Sequence, residues 1–150
     1  MIDKERIPKD ILVLLEEKLE GRTDEICFPP PVFDALKGEV LGFDHRKEAL
    51  TNRFPILKEH LNPYGFLQGG IISAAIDNTI GPLSLLVSPP SLTRYMTVKY
   101  ARAVSPELDY IYITARYGGK KKRFLYFDAL VKDGDGNRLA SAQATHYLVD

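Results

Sequence analysis

A chain of 150 residues is long enough for one domain with a real core. Its 20 Lys and Arg cancel its 20 Asp and Glu, which excludes the basic footprint of a nucleic-acid binder. One cysteine, Cys27, excludes an internal disulfide framework, and the charged opening Met1–Arg6 lacks the apolar run of a signal peptide, so a cytoplasmic chain is expected.

Pro8 to Leu19 reads as an amphipathic helix. Ile11, Leu14, Leu15, Lys18 and Leu19 recur at helical spacing, Pro8 suits a first turn, and Gly21 suits the stop. Glu20 to Pro31 follows as loop, stiffened by Pro29-Pro30-Pro31, and Phe33 and Leu36 anchor a short turn. Glu39–Phe43 and Ala49–Phe54 are expected strands around a turn at Asp44–Lys47. A helix is expected from about Gly70 to about Leu86. Pro82 cannot donate to the carbonyl of Asn78, which predicts a kink or an early end near Gly81-Pro82.

Four alternating runs come next: Leu92–Tyr100, Tyr110–Tyr117, Arg123–Lys132 and Arg138–Val149. Their expected inward faces are Met96, Val98 and Tyr100; Ile111, Ile113 and Ala115; Leu125, Phe127, Ala129 and Val131; and Ala140, Ala142 and Ala144. The last set is small enough for a helix to lie close. Turns are expected at Ser105–Glu107, Gly118-Gly119 and Asp133–Asn137. An antiparallel meander wrapped around one helix makes an α+β fold. Residues 1–37 form a helical extension to a domain over 38–150, within a single domain overall.

The stretch Asn62–Asp77 organises this layout. From Asn62 through Thr93 only Asp77 carries a formal charge, on a helix that is apolar or small on nearly every face. Such a helix is normally buried, and a buried acid without partners is costly. That cost is most often retained at a functional site. The alternative is an acid satisfied by backbone or by a partner subunit. Breaks at Asp77, Gly81-Pro82 and Pro89-Pro90 argue against a membrane span. Gly69-Gly70 leaves the first turn bare, so its free N–H groups can face a ligand, as an oxyanion hole requires. Asp77 lies eight residues beyond Gly69, roughly 12 Å along a helix. If both serve one site, a second copy of the chain supplies one of them, which predicts a symmetric dimer.

The pattern Asn62-x-x-Gly65-x-x-Gln68-Gly69-Gly70, followed by Asp77 on the helix, resembles the hotdog-fold acyl-CoA thioesterases. The phenylacetyl-CoA and medium/long-chain acyl-CoA types are the nearest in pattern, and the likeness covers roughly Gly38 to Val149. It implies hydrolysis of an acyl-CoA to free acid and coenzyme A by a homodimer or a dimer of dimers, with coenzyme A as part of the substrate and no other cofactor. By the same likeness Asp77 is the general base or nucleophile, Asn62 orients water or contacts the thioester, and Gly69 offers the oxyanion N–H, with Gly70 permitting close approach. Thr93 matches a position where relatives place Ser or Thr near the attacking water. Gln68 departs from the usual His; it can still shape the loop as a neutral donor and acceptor. The basic run Gly118-Gly119-Lys120-Lys121-Lys122-Arg123 matches a turn near coenzyme A phosphates, which makes Gly119, Lys120, Lys121 and Arg123 candidates for binding.

Each of these residues has a plainer reading. Asn62 suits an Asx turn before Pro63, the glycines suit tight packing, Thr93 a strand edge, and the basic run a solvated turn. His45, His60 and His146 lack metal-ligand spacing, so no metal is expected, and Ser73 lacks a nucleophile elbow. A non-catalytic acyl-CoA binder on the same fold stays open, as does an oligomerisation protein whose helix acid only pins an interface. A hotdog dehydratase or hydratase is disfavoured, since that chemistry needs a His paired with an acid.

Overall fold

A computed structural model describes residues 1–150. Its elements are α1 (Lys9–Leu19), α2 (Pro31–Ala35), β1 (Glu39–Asp44), β2 (Ala49–Pro55), α3 (Gly69–Val87), β3 (Ser91–Tyr100), β4 (Tyr110–Lys121), β5 (Phe124–Lys132) and β6 (Arg138–Leu148). The strands form one antiparallel sheet in the order β1-β2-β4-β5-β6-β3, so β1 and β3 are its edges. The inward residues of β4, β5 and β6 are those the alternation predicted, and all are buried in the core that α3 shares.

α3 is long and apolar enough to cross a membrane, yet it packs Ile72, Ala75, Ile76, Thr79, Ile80, Leu83 and Leu86 into the core instead. Each large aliphatic there is worth about 1.5–3 kcal/mol of burial. Its other face is a correction to the fully buried helix expected from the wheel. Ile71, Ser73, Ala74, Asp77, Asn78 and Leu85 are only half-buried, because a single sheet covers a single side.

Pro82 neither ends α3 nor leaves a carbonyl stranded. The helix continues to Val87, and the Asn78 carbonyl that Pro82 cannot serve accepts from Asn52 Nδ2 on β2 at 3.3 Å. The same amide reaches Thr79 Oγ1 at 3.3 Å. Asn52 is fully buried and its Oδ1 has no partner, so β2 accepts one orphan acceptor to satisfy another.

The N-terminal residues join the same core, with Ile7, Ile11, Leu15, Phe28, Phe33 and Leu36 among its members. α1 buries Ile11, Leu15 and Leu19, and packs on α3, while Phe33 of α2 meets Phe54 of β2 edge-on at 5.4 Å. The turn expected at Gly118-Gly119 lies elsewhere. β4 runs on to Lys121 through a bulge between Tyr117 and Gly119, and the hairpin reverses at Lys122-Arg123. Gly119 at φ +113° absorbs the extra residue, and Lys122 at φ +57° makes the turn.

Candidate active site

The loop before α3 is built by hydrogen bonds from its own short sequence. Asn62 Oδ1 accepts from the N–H groups of Tyr64 and Phe66 at 2.9 and 3.1 Å, and Asn62 N–H donates to the Phe66 carbonyl at 2.7 Å. Gly65, at φ +82°, closes the reversal that a side chain would resist. Buried Leu67 then anchors the strand-like exit by donating to the Val104 carbonyl at 2.9 Å. Asn62 is therefore the Asx-type organiser of the loop, and its Nδ2 has no protein partner. Gln68 differs from expectation. Its backbone links His60 to the first turn of α3, but its side chain is exposed and makes no cap.

At the start of α3 the N–H groups of Ile71 and Ile72 both turn to the Gln68 carbonyl, while those of Gly69 and Gly70 find no backbone acceptor. A Cβ on Gly69 would meet the Tyr100 ring at 3.2 Å, whereas one on Gly70 would face open space. Tyr100 was expected among the inward residues of its strand. It is instead half-exposed, and its hydroxyl bonds Ser73 Oγ. Gly69, Ser73 and Asp77 succeed one another at i, i+4 and i+8, so they share the open face of α3. Asn62, Phe66, Gly69, Ile72, Tyr100 and Arg102 line a cavity of about 300 Å³ over the bare end of the helix.

Two turns along, Asp77 meets β3. Thr93 Oγ1 donates to Asp77 Oδ1 at 2.7 Å, and no protein group engages Oδ2. Behind Thr93 stands His146 of β6, which no motif in the sequence marks as part of the site. Its Nε2 is 3.1 Å from Thr93 Oγ1, its Nδ1 is 3.0 Å from Ser91 Oγ, and its ring is buried against Phe127 at 4.8 Å. Burial pushes the imidazole below its ordinary value, and the negative charge of Asp77 offsets part of that. The signal was present in the alternation. His146 falls two residues beyond Ala144 on the face of Ala140, Ala142 and Ala144, so period two alone places it inside. Both of its nitrogens are occupied, so it offers no imidazole to a substrate.

The basic run sits at the same end of the sheet. Register places Lys120, Leu125, His146 and Thr93 in one cross-strand row, roughly 14 Å from end to end. Lys120 and Lys121 carry no ion pair, and Gly119 holds the bulge behind them. Arg123 is already engaged: it donates to the Leu148 carbonyl and to Asp150, and lies over Tyr147. No three His, Cys, Asp or Glu side chains converge anywhere in the fold.

No family model and no curated protein matches the chain. Solved structures do. The PaaI protein of the Escherichia coli phenylacetic acid degradation operon superposes with a TM-score of 0.76 at 12% identity, over 91% of this chain and 96% of that one. A phenylacetic acid degradation-related protein of Ralstonia eutropha JMP134 gives 0.75 at 21% identity, over 90% and 99% of the two chains. A Streptococcus mutans UA159 protein bound to acetyl CoA gives 0.70 at 19% identity, over 83% and 94%. These likenesses establish the fold. The chain is a hotdog-fold protein, and its structural neighbours include PaaI-type proteins of phenylacetic acid degradation.

Proposed function

We propose that this chain is an acyl-CoA thioesterase that works as a homodimer. The observation that carries the reading is the Thr93–Asp77 bond of 2.7 Å on the open face of α3, in line with a Gly69 N–H that has no partner. A thioester is an activated acyl donor, so one base and one oxyanion hole suffice, without a Ser-His pair. Asp77 Oδ2 takes a proton from water while Thr93 holds Oδ1, and water adds to the thioester carbonyl carbon. The oxyanion forms against the Gly69 N–H, with Asn62 Nδ2 beside it; its collapse breaks the C–S bond, and the departing coenzyme A thiolate takes up the proton held by Asp77. Asp77 and Gly69 of one chain are too far apart to share one carbonyl, so a second copy presents its Gly69 to this Asp77. The unpaired outer edge of β3 and the half-covered face of α3 are the surfaces that copy would cover, and Leu92 and Tyr95 stand exposed there. Lys120 and Lys121 serve the coenzyme A phosphates as free point charges.

The test is hydrolysis of a panel of acyl-CoAs, read by thiol release, with Asp77→Asn beside wild type. Wild-type turnover with a loss on the order of 10²–10⁴-fold in the variant, and coenzyme A binding retained, is expected. A monomer by light scattering, or full activity in Asp77→Asn, overturns the reading.

A further inference from the structure

We infer that His146 is a positioning residue for Asp77, acting through the Thr93 hydroxyl. This rests on the reading of Asp77 as the base of a thioesterase site. The argument is a proton inventory. An ionised carboxylate only accepts, so the single hydroxyl proton of Thr93 is committed to Asp77 Oδ1. The contact from His146 to Thr93 Oγ1 then requires a proton on Nε2. A neutral imidazole with Nε2–H has a bare Nδ1, which accepts from the Ser91 hydroxyl. Every hydrogen bond from Ser91 through His146 and Thr93 thus points the same way, towards Asp77.

That one-way chain has a chemical consequence. Thr93 cannot turn its proton elsewhere, so Oδ1 stays occupied, the carboxylate stays in one rotamer, and Oδ2 is left as the open acceptor. Burial keeps the ring neutral, and Asp77 is the charged group that bears on it. The neighbours from β5 are Leu125, in register beside it, and the Phe127 ring. A structural role alone would be served by another small apolar residue continuing Ala140, Ala142 and Ala144, with no buried polar ring to satisfy.

Wild type, His146→Leu, His146→Gln, Thr93→Val and the His146→Leu/Thr93→Val pair are compared for kcat and KM on the best acyl-CoA of the panel. His146→Leu is expected to lower kcat by roughly 10–100-fold, the scale on which orienting partners act. KM should move far less. His146→Gln keeps an N–H donor where Nε2 stood and recovers most of kcat. The pair should be no slower than Thr93→Val alone, since both remove one chain. Independently of substrate, the imidazole nitrogen spectrum of the isotope-labelled wild type should show the Nε2–H tautomer at neutral pH. A kcat unaffected in His146→Leu, losses that multiply in the pair, or an Nδ1–H tautomer overturns the positioning role in an active enzyme. A wild type that hydrolyses no acyl-CoA instead removes the thioesterase reading, and the positioning role falls with it.

Discussion

The two sides of α3 are made of similar residues and live in different worlds. Towards the sheet, Ile76, Ile80 and Leu83 are fully buried in the hydrophobic core. On the open side Gly69, Ser73 and Asp77 stand half-covered, with Tyr100 over Gly69 and Ser73 and Thr93 bonded to Asp77. The comparison separates what holds the helix from what the helix holds. One face stabilises the domain, and the other is left half-exposed.

The sharpest way to break this division is to cut into the buried side. Ile76→Ala should cost about 2–5 kcal/mol of folding stability in urea unfolding, since the surrounding core cannot close the space. Ser73→Ala, on the open side, loses one bond to Tyr100 and should cost no more than about 1.5 kcal/mol. Equal costs for the two would mean that α3 has no distinct faces.

A smaller effect tests how the helix survives its proline. Asn52→Leu strands the Asn78 carbonyl, whereas in a Pro82→Ala background the new N–H serves it. The two changes should therefore couple by about 1 kcal/mol in a double-mutant cycle of urea midpoints. Simple additivity would show that Asn52 does not stand in for the missing donor.

The smallest effect is the pH dependence that His146 brings. Its folded-state pKa is depressed, so the unfolded chain takes up a proton first as pH falls below the ordinary value near 6.5. The stability this group contributes is present above that value, and is lost as pH drops from about 6.5 towards the folded pKa. Unfolding series for wild type and His146→Gln should converge or cross as pH falls through that window. A constant gap between them would refute the buried neutral ring. Asp133 acts in the opposite range. Bonds from Asn137 first, and from the Asp135 N–H, hold its carboxyl below the ordinary value, so its contribution is lost only in stronger acid.

Much of this molecule could be read from residue order, for a physical reason. Period two in β4, β5 and β6 and the glycine and proline punctuation are local, and a sheet with one dry face imposes them directly. The lone charge at Asp77 and the bare turn at Gly69-Gly70 were legible too, because scarcity of charge in an apolar stretch is a one-dimensional signal. Partnership was not. Whether Asn52 would meet the carbonyl freed by Pro82, whether Tyr100 would lie over Gly69, and whether His146 would stand behind Thr93 depend on strand register and on which side of α3 faces the sheet. Those are decided when residues dozens of positions apart are packed together, and no spacing along the chain encodes them.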